Sequence, residues 1–251
     1  MSDFYQQILL NSGYLSGRAL AQARGSIGGH RYVFVKLQMS GKDALVFPTS
    51  GGIVKNPFKG NARAFAGTLA EYIPSNGSNG SEIYILKSYA VAKDTTGDPG
   101  TVIYLKRDRY SLIPFVGDAL MVAPLPLTDK GTAATVTAVE KATDEPGGDV
   151  WKVTLSETLG SLTTSSVLVE AKEAGHGKEA MVTNPNSYLP CDFDFVFDPA
   201  TSKEDDFDGA RYLITPALAL GDVFLYEDRM QPLSDALKAL NKSKVKGWFN
   251  I

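Results

Sequence analysis

Four short apolar runs between Gly117 and Glu170 have the hydrophobic pattern of β-strands. They are rich in Val, Thr and Leu and are separated by turn residues, which is typical of half-buried strands in an antiparallel sheet. The four runs are Ala119 to Ala123, Ala134 to Val139, Val150 to Leu155 and Val167 to Glu170. The pattern predicts a small antiparallel β-barrel or sandwich module at residues 101–172.

The segments before this module also favour strands. His30 opens the run HRYVFVKLQM, which is apolar enough for a strand covered on both faces, and Ala44 to Phe47 follows as a shorter strand. Ile83 to Val91 and Thr101 to Lys106 have the pattern of a β-pair. Ala62 to Tyr72 is compatible with helix or strand, and we interpret it as irregular.

The two ends of the chain have different patterns. Residues 1–30 contain glycines that disfavour a long helix, so we predict an extended N-terminal arm. Ser75 to Ser81 is a polar segment and is predicted to be a loop. In Asp192 to Asp198 phenylalanine alternates with three aspartates and Val196, which predicts a strand whose phenylalanine face is buried. A short C-terminal helix is predicted to begin near Pro232.

These patterns divide a mainly β chain into three parts. Residues 1–100 are predicted to be the arm and a β-rich attachment segment, and residues 101–172 the β-barrel module. Residues 173–251 are predicted to be a C-terminal β segment and helix that packs with residues 1–100.

Composition narrows the classes of function. The formal net charge of −3 and the pI near 5.5 argue against nucleic-acid binding, which needs clustered Lys and Arg. A single cysteine, Cys191, rules out an intramolecular disulfide. No run is long and apolar enough for a membrane helix, and the first residues lack a signal-peptide pattern. We therefore expect neither a nucleic-acid nor a membrane partner, and synthesis in the cytoplasm.

Residues with catalytic or metal-binding chemistry are sparse. His30 and His176 are far apart in the chain and have no neighbouring ligand or nucleophile. Gly175 to Lys178 lacks the spacing of a phosphate loop and is interpreted as an ordinary loop. The aspartates of Asp192 to Asp208 supply oxygen for calcium, but the spacing of an EF-hand fails. We predict no catalytic residues, no metal and no cofactor, with a carboxylate hydrolase at Asp205 to Asp208 as the enzyme alternative.

Six segments from Asn56 onward carry a resemblance to known proteins. They are NPFKGNARAFAGTLAEY (from Asn56), IPFVGDALMVAP (from Ile113), GDVWKVTLSETLG (from Gly148), AMVTNPNSYLPCDFDFVFDP (from Ala180), DDFDGARYLITP (from Asp205) and ALNKSKVKGWF (from Ala239). Through these segments the chain resembles capsid-associated (auxiliary, decoration or head-fibre) structural proteins of tailed phages of Bacteroides-type bacteria, crAss-like phages included.

The resemblance implies a structural component of the virion and not an enzyme. Its expected partners are the major capsid protein and copies of the chain itself, with a trimer as the hypothesis for the oligomer. The candidate contact residues are Phe4, Tyr5, Tyr14, Arg211, Tyr212, Trp248 and Phe249. Trp248 and Phe249 fit the protein's own core equally well, and a carbohydrate- or receptor-binding module of the virion is the alternative function.

Overall fold

The computed structural model describes a set of separate ranges along the chain. They are residues 21–23, 33–35, 52–65, 68–73, 82–143, 148–188, 193–195, 213–214, 222–226, 231–235, 237–238 and 246–249. The strands in chain order are β1 (Ala21–Ala23), β2 (Val33–Val35), β3 (Gly52–Val54), β4 (Ala62–Ala64), β5 (Leu69–Ile73), β6 (Glu82–Ile85), β7 (Ser88–Ala90), β8 (Val102–Lys106), β9 (Ala119–Val122), β10 (Gly131–Ala142), β11 (Val150–Leu155), β12 (Val167–Glu170), β13 (Gly175–Lys178), β14 (Ser187–Tyr188), β15 (Phe193–Phe195), β16 (Leu213–Ile214), β17 (Asp222–Tyr226) and β18 (Lys246–Phe249).

Within these ranges the strands form one seven-stranded sheet and three smaller sheets. The order of the seven-stranded sheet is β7-β12-β9-β10-β11-β8, with β13 paired to β10. The smaller sheets have the orders β14-β5-β6-β3-β16, β1-β2-β17-β18 and β15-β4. Each smaller sheet joins a strand that precedes the seven-stranded sheet in the chain to a strand that follows it. All of the ladders are antiparallel except β3–β6 and β17–β18.

Strand β10 connects the two halves of the seven-stranded sheet. Its first half pairs with β9 through Ala133, Ala134 and Thr135, and its second half pairs with β11. The register shifts between Val136 and Ala138, as at a β-bulge, which bends the strand. The Val136 N–H still donates to the Asp118 carbonyl at 2.8 Å, so the backbone stays paired across the bend. One long strand therefore pairs with three others, with β9 and β13 through its first half and with β11 through its second.

The seven-stranded sheet is not a closed barrel. Its edge strands β7 and β8 meet at one bridge, Val91 to Leu105, with a further 2.8 Å hydrogen bond from the Ala92 N–H to the Tyr104 carbonyl. A closed barrel needs a continuous ladder between all neighbouring strands, and β7 spans only three residues. The predicted mainly antiparallel β-architecture is confirmed, and the predicted barrel is corrected to a curled sheet that stays open between β7 and β8.

Two local predictions are also corrected. Ala62 to Tyr72 was interpreted as irregular, yet it contains β4 and most of β5. These strands pair with β15 and β14, which lie far along the chain, so no local pattern signals them. Gly175 to Lys178 forms strand β13 against β10 where an ordinary loop was predicted. Gly175 and Gly177 have φ angles of 118° and 67°, which L side chains rarely adopt.

One hydrophobic cluster of the described residues joins the seven-stranded sheet to the segments around it. It contains Val54, Phe58 and Phe195 as well as Ile103 and Val153. The Phe58 ring packs edge-on against Phe195, with centroids 5.1 Å apart. Because Phe195 is almost fully buried, the prediction of a buried phenylalanine face is confirmed at that residue.

Other predicted elements lie wholly or partly outside the described residues. The strand at Ala44 to Phe47, the loop at Ser75 to Ser81 and all of the arm except 21–23 are among them. At the predicted C-terminal helix, residues 235, 237 and 238 are helical, and the Ser234 hydroxyl accepts a hydrogen bond from the Leu237 N–H at 3.3 Å. Ser234 therefore has the position of an N-cap. No helix within the described ranges is long and apolar enough to cross a membrane.

Gly60 provides a test of this packing. A Cβ atom at Gly60 would overlap the Phe115 ring, whereas a Cβ at Gly97 would meet nothing within 4 Å. Gly60→Ala is therefore expected to lower the free energy of unfolding by about 1–3 kcal/mol, as in an overpacked core. Gly97→Ala is the control and should stay within about 0.5 kcal/mol of the parent. Urea unfolding measures both, and equal stability of the two variants would contradict the described packing.

Candidate functional site

The best-defined polar cluster in the described part of the chain surrounds a buried ion pair. Lys87 lies in the two-residue link between β6 and β7, and Glu170 is the last residue of β12. The Lys87 Nζ lies 2.8 Å from Glu170 Oε1, and their side chains are only 1% and 9% exposed. Nζ also donates to the Pro57 carbonyl at 2.9 Å and lies 4.9 Å from the centre of the Phe58 ring. The ammonium group thus has an anion, a carbonyl and an aromatic face around it.

Asn56 supports the carboxylate from the opposite side. Its Nδ2 donates to Glu170 Oε2 and to the Ile85 carbonyl, both at 2.7 Å, and its Oδ1 accepts from the Ile85 N–H at 2.7 Å. The Asn56 side chain therefore acts as a short piece of sheet that continues the pairing of β6 while it holds Glu170. Asn56 and Glu170 are 114 residues apart in the chain, so these contacts fix a long-range arrangement.

Asp118 and Tyr89 extend the cluster. Asp118 is 2% exposed, and its Oδ2 accepts from the Phe115 N–H at 2.9 Å. Burial raises the pKa of the Tyr89 hydroxyl well above its usual value, and the Asp118 and Glu170 carboxylates raise it further. Burial also raises the pKa of the Glu170 carboxyl, because the loss of solvation outweighs the opposing effects of Lys87 and Asn56. Tyr89 is therefore a neutral phenol at physiological pH.

This cluster has the chemistry of a structural clamp. Taking a charge out of water costs several kcal/mol, and the cost is offset only where the partner charge and the remaining hydrogen bonds are well placed. Here Glu170 receives both, from Lys87 and from Asn56. Because none of these groups is open to solvent, the clamp fixes the position of residues 56–58 against β7 and β12.

A second cluster lies at the surface, around Trp151 on β11. The indole is half-buried and packs against the hydrophobic core. The guanidinium carbon of Arg107 lies 5.4 Å from the ring centre, and Lys141 Nζ lies 5.7 Å from it. Arg107 Nη2 in turn lies 3.1 Å from Asp149 Oδ2. We call Trp151, Arg107 and Lys141 the indole site.

Only two of the seven predicted contact residues lie within the described ranges. Phe4, Tyr5, Tyr14, Arg211 and Tyr212 lie outside the described residues. Trp248 and Phe249 are on β18, which pairs in parallel with β17 through Trp248 to Leu225 and Phe249 to Tyr226. Among the described strands β18 has no second neighbour, so it is an edge strand. The two residues stay predicted contacts.

The residues that carry candidate chemistry in the sequence are not assembled into a described site. His30 is outside the described residues, as are Asp205 to Asp208, the residues of the hydrolase alternative. His176 is 80% exposed; its Nδ1 lies 3.0 Å from Thr132 Oγ1 and its Nε2 3.4 Å from Glu157 Oε2. The described ranges contain no group of three or more His, Cys, Asp or Glu that could hold a metal ion.

Sequence reasoning missed both clusters. Lys87 is one lysine inside the run Ile83 to Val91, and Glu170 ends a strand, where charged residues are normally solvated. Neither has a local signal of burial, because their partners come from distant segments. The sequence contains a weak indication for Trp151. It lies near the start of a predicted strand and is followed by Lys152, a position at which a tryptophan side chain is often partly exposed.

No family model, curated protein or solved structure matches this chain.

The clamp can be tested by removing the ammonium group. Lys87→Met leaves Glu170 as a buried carboxylate without its countercharge, so the free energy of unfolding should fall by about 3–5 kcal/mol near neutral pH. Adding Glu170→Gln should restore most of the loss, because the buried charge is gone and an amide oxygen still accepts from Asn56. Urea unfolding of both variants measures this. A double variant as unstable as Lys87→Met would contradict the clamp.

The same variant should have a distinct pH dependence. Lys87 lowers the pKa of Glu170, so removing it should raise that pKa further above the ordinary value of 4.5. A group whose pKa is raised by folding costs stability as pH rises through the window between the two values. Relative to Lys87→Met/Glu170→Gln, Lys87→Met should therefore lose stability as the pH rises above the ordinary pKa of a glutamate carboxyl.

Lys172→Met is the matched control for burial. Lys172 Nζ lies 2.9 Å from Glu179 Oε2, but both side chains are about half-exposed, at 52% and 40%. An exposed pair of this kind contributes under about 1 kcal/mol. If Lys172→Met lowered the free energy of unfolding as much as Lys87→Met, burial of the ion pair would not be the cause of the destabilisation.

Proposed function

We propose that the chain is a virion structural protein that binds the phage capsid shell, in an auxiliary, decoration or head-fibre role. The resemblance of the segments from Asn56 onward to such proteins supports the proposal. The proposed partners are the major capsid protein and further copies of the chain. The proposed location is the capsid of the virion. The protein acts through protein–protein contacts and not as an enzyme.

The observation that carries this proposal is the pairing of the two flanks. Strands before and after the seven-stranded sheet meet at β2–β17, β3–β16, β4–β15 and β5–β14. A layer built from both flanks suits attachment to a shell, while the seven-stranded sheet that it carries suits bracing or display. In this account the seven-stranded sheet, which adds β7 and β13 to the predicted module at residues 101–172, is the displayed part. The rest of residues 1–100 and 173–251 forms the attachment part.

The edge strand β18 supplies a place for the contacts. Edge strands present unpaired N–H and C=O groups that a neighbouring chain can use, often by adding a strand. Among the described strands β18 pairs only with β17, and it carries Trp248 and Phe249. Tryptophan is frequent among residues that dominate binding at interfaces. We therefore propose β18 as a contact with the capsid protein or with a second copy.

Mass spectrometry of purified virions tests the proposed function. Peptides of this chain are expected at a copy number that follows the symmetry of the shell, and they should remain after washing at high salt. Absence of the chain from purified virions would contradict the capsid role.

The contact residues need a separate test. Trp248→Ala/Phe249→Ala should reduce the copies per virion severalfold when the variant replaces the parent during infection. Val116→Ala/Leu125→Ala is the matched control, since these two apolar side chains are exposed, at 57% and 71%, and lie outside β18. Circular dichroism should first show that both variants keep the β-structure. Equal incorporation of the two double variants would remove β18 as the contact while leaving the capsid role intact.

Carbohydrate or receptor binding at a host surface is the second candidate function. The observation that favours it is the half-buried indole of Trp151, which lies at the surface of the seven-stranded sheet beside two cations. Aromatic rings with one accessible side are common contacts in recognition sites.

A further inference from the structure

The indole site lies at the first residues of β11, on the face of the strand that packs against the hydrophobic core. Trp151 pairs across the sheet with Leu105 on β8 and with Lys141 on β10, so the three side chains share one face. On that face Val153 and Leu105 are fully buried, whereas Trp151 is half-buried and Lys141 is exposed. The apolar side of the sheet therefore reaches solvent at Trp151, with a cation directly beside it.

The two cations of the indole site differ in whether a carboxylate lies beside them. Arg107 is held by Asp149, whose carboxylate neutralises it and keeps the guanidinium beside the indole. Lys141 has no carboxylate within salt-bridge distance in the described ranges, and its distance of 5.7 Å from the ring centre is near the limit of about 6 Å for a cation–π contact. The Arg107 Nε–H is buried and has no acceptor among the described residues. Among the described residues the site therefore carries one positive charge without a countercharge, next to an aromatic surface.

We propose that the indole site binds an anionic sugar residue of a polysaccharide. The apolar face of a pyranose ring packs on the indole, and the sugar's carboxylate or sulfate pairs with the Lys141 ammonium. Arg107, held by Asp149, packs beside the indole and fixes its orientation, while the contact between Lys141 and the anion is the charge-assisted one. This inference specifies the second candidate function and is independent of capsid attachment.

An anionic sugar fits this arrangement better than a neutral sugar or a nucleic acid. A neutral sugar would use the indole and leave Lys141 without a partner. A single-stranded nucleic acid would need a basic groove along several nucleotides, whereas Glu140 and Asp149 lie among the cations of β10 and β11. An anion with one apolar ring face uses both parts of the site.

Isothermal titration calorimetry of the full chain tests the inference. The probes are polygalacturonate for a carboxylate, dextran sulfate for a sulfate, unmodified dextran as the neutral control and a single-stranded oligonucleotide. Binding of at least one of the two acidic polysaccharides, with little or none of dextran, is expected, and it should weaken as salt screens the charges. Binding of neither acidic polysaccharide, or tighter binding of the oligonucleotide, would overturn the proposal.

Two lysine variants of equal charge locate the site. Lys141→Gln should weaken binding about tenfold, the effect of losing one charge-assisted contact. Lys152→Gln is the matched control, because Lys152 is in the same hairpin but pairs with Glu140 and Tyr104 on the opposite face. Equal losses in the two variants would mean attraction by general positive charge and would contradict a built site.

Tryptophan emission gives a readout that depends on the indole itself. The chain has two tryptophans, so in a Trp248→Phe background Trp151 is the only emitter. Its emission should change on titration with the acidic polysaccharide and follow the calorimetric binding curve. Unchanged emission at saturation would place the ligand elsewhere and overturn the assignment to Trp151.

Discussion

The burial of Lys87 against Glu170 constrains the rest of the described structure. A buried ammonium and a buried carboxylate are tolerated only where each has its partners in place. The partners here come from the residues after β3, from the link between β6 and β7, and from the end of β12. Three distant parts of the sequence must therefore meet before either charge leaves water. The hydrophobic cluster around Phe58 then closes over the same point.

This constraint also links the seven-stranded sheet to its flanks. Asn56 precedes the sheet in the chain, yet its side chain holds both β6 and Glu170. Gln231, which follows the sheet, donates to the Leu86 carbonyl at 2.7 Å, and the Ser88 hydroxyl donates to the Pro232 carbonyl at 2.6 Å. Residues from both flanks thus meet at the link between β6 and β7. An attachment layer built in this way would hold a displayed sheet rigidly, which is what the proposed capsid role requires.

The sequence predicts the local part of this fold and misses the long-range part. Strands β9, β11 and β12 match their apolar runs almost residue for residue, because alternation and turn residues act within a few positions. Strands β4 and β5 were missed because they pair with β15 and β14 far along the chain. The open edge between β7 and β8 was missed for a similar reason, since alternation does not determine whether a sheet closes.

The candidate sites show the same limit. The sequence drew attention to terminal aromatics and to aspartate clusters, most of which lie outside the described residues. Burial of Lys87 and the cations beside Trp151 depend on cross-strand register, which one sequence does not specify. The sequence therefore indicates which kinds of side chain are candidates for contacts, and the structure shows which of the described residues lie next to one another.

Native-state hydrogen exchange tests the clamp most directly. The Ile85 N–H is held by Asn56, outside the seven-stranded sheet, and the Val153 N–H lies in the centre of β11. If the clamp makes the flank and the sheet one cooperative unit, the two amides should exchange with the same opening free energy, equal to that of global unfolding. Lys87→Met should lower both together. An Ile85 amide that exchanges through a much smaller opening, while Val153 stays protected, would contradict this account.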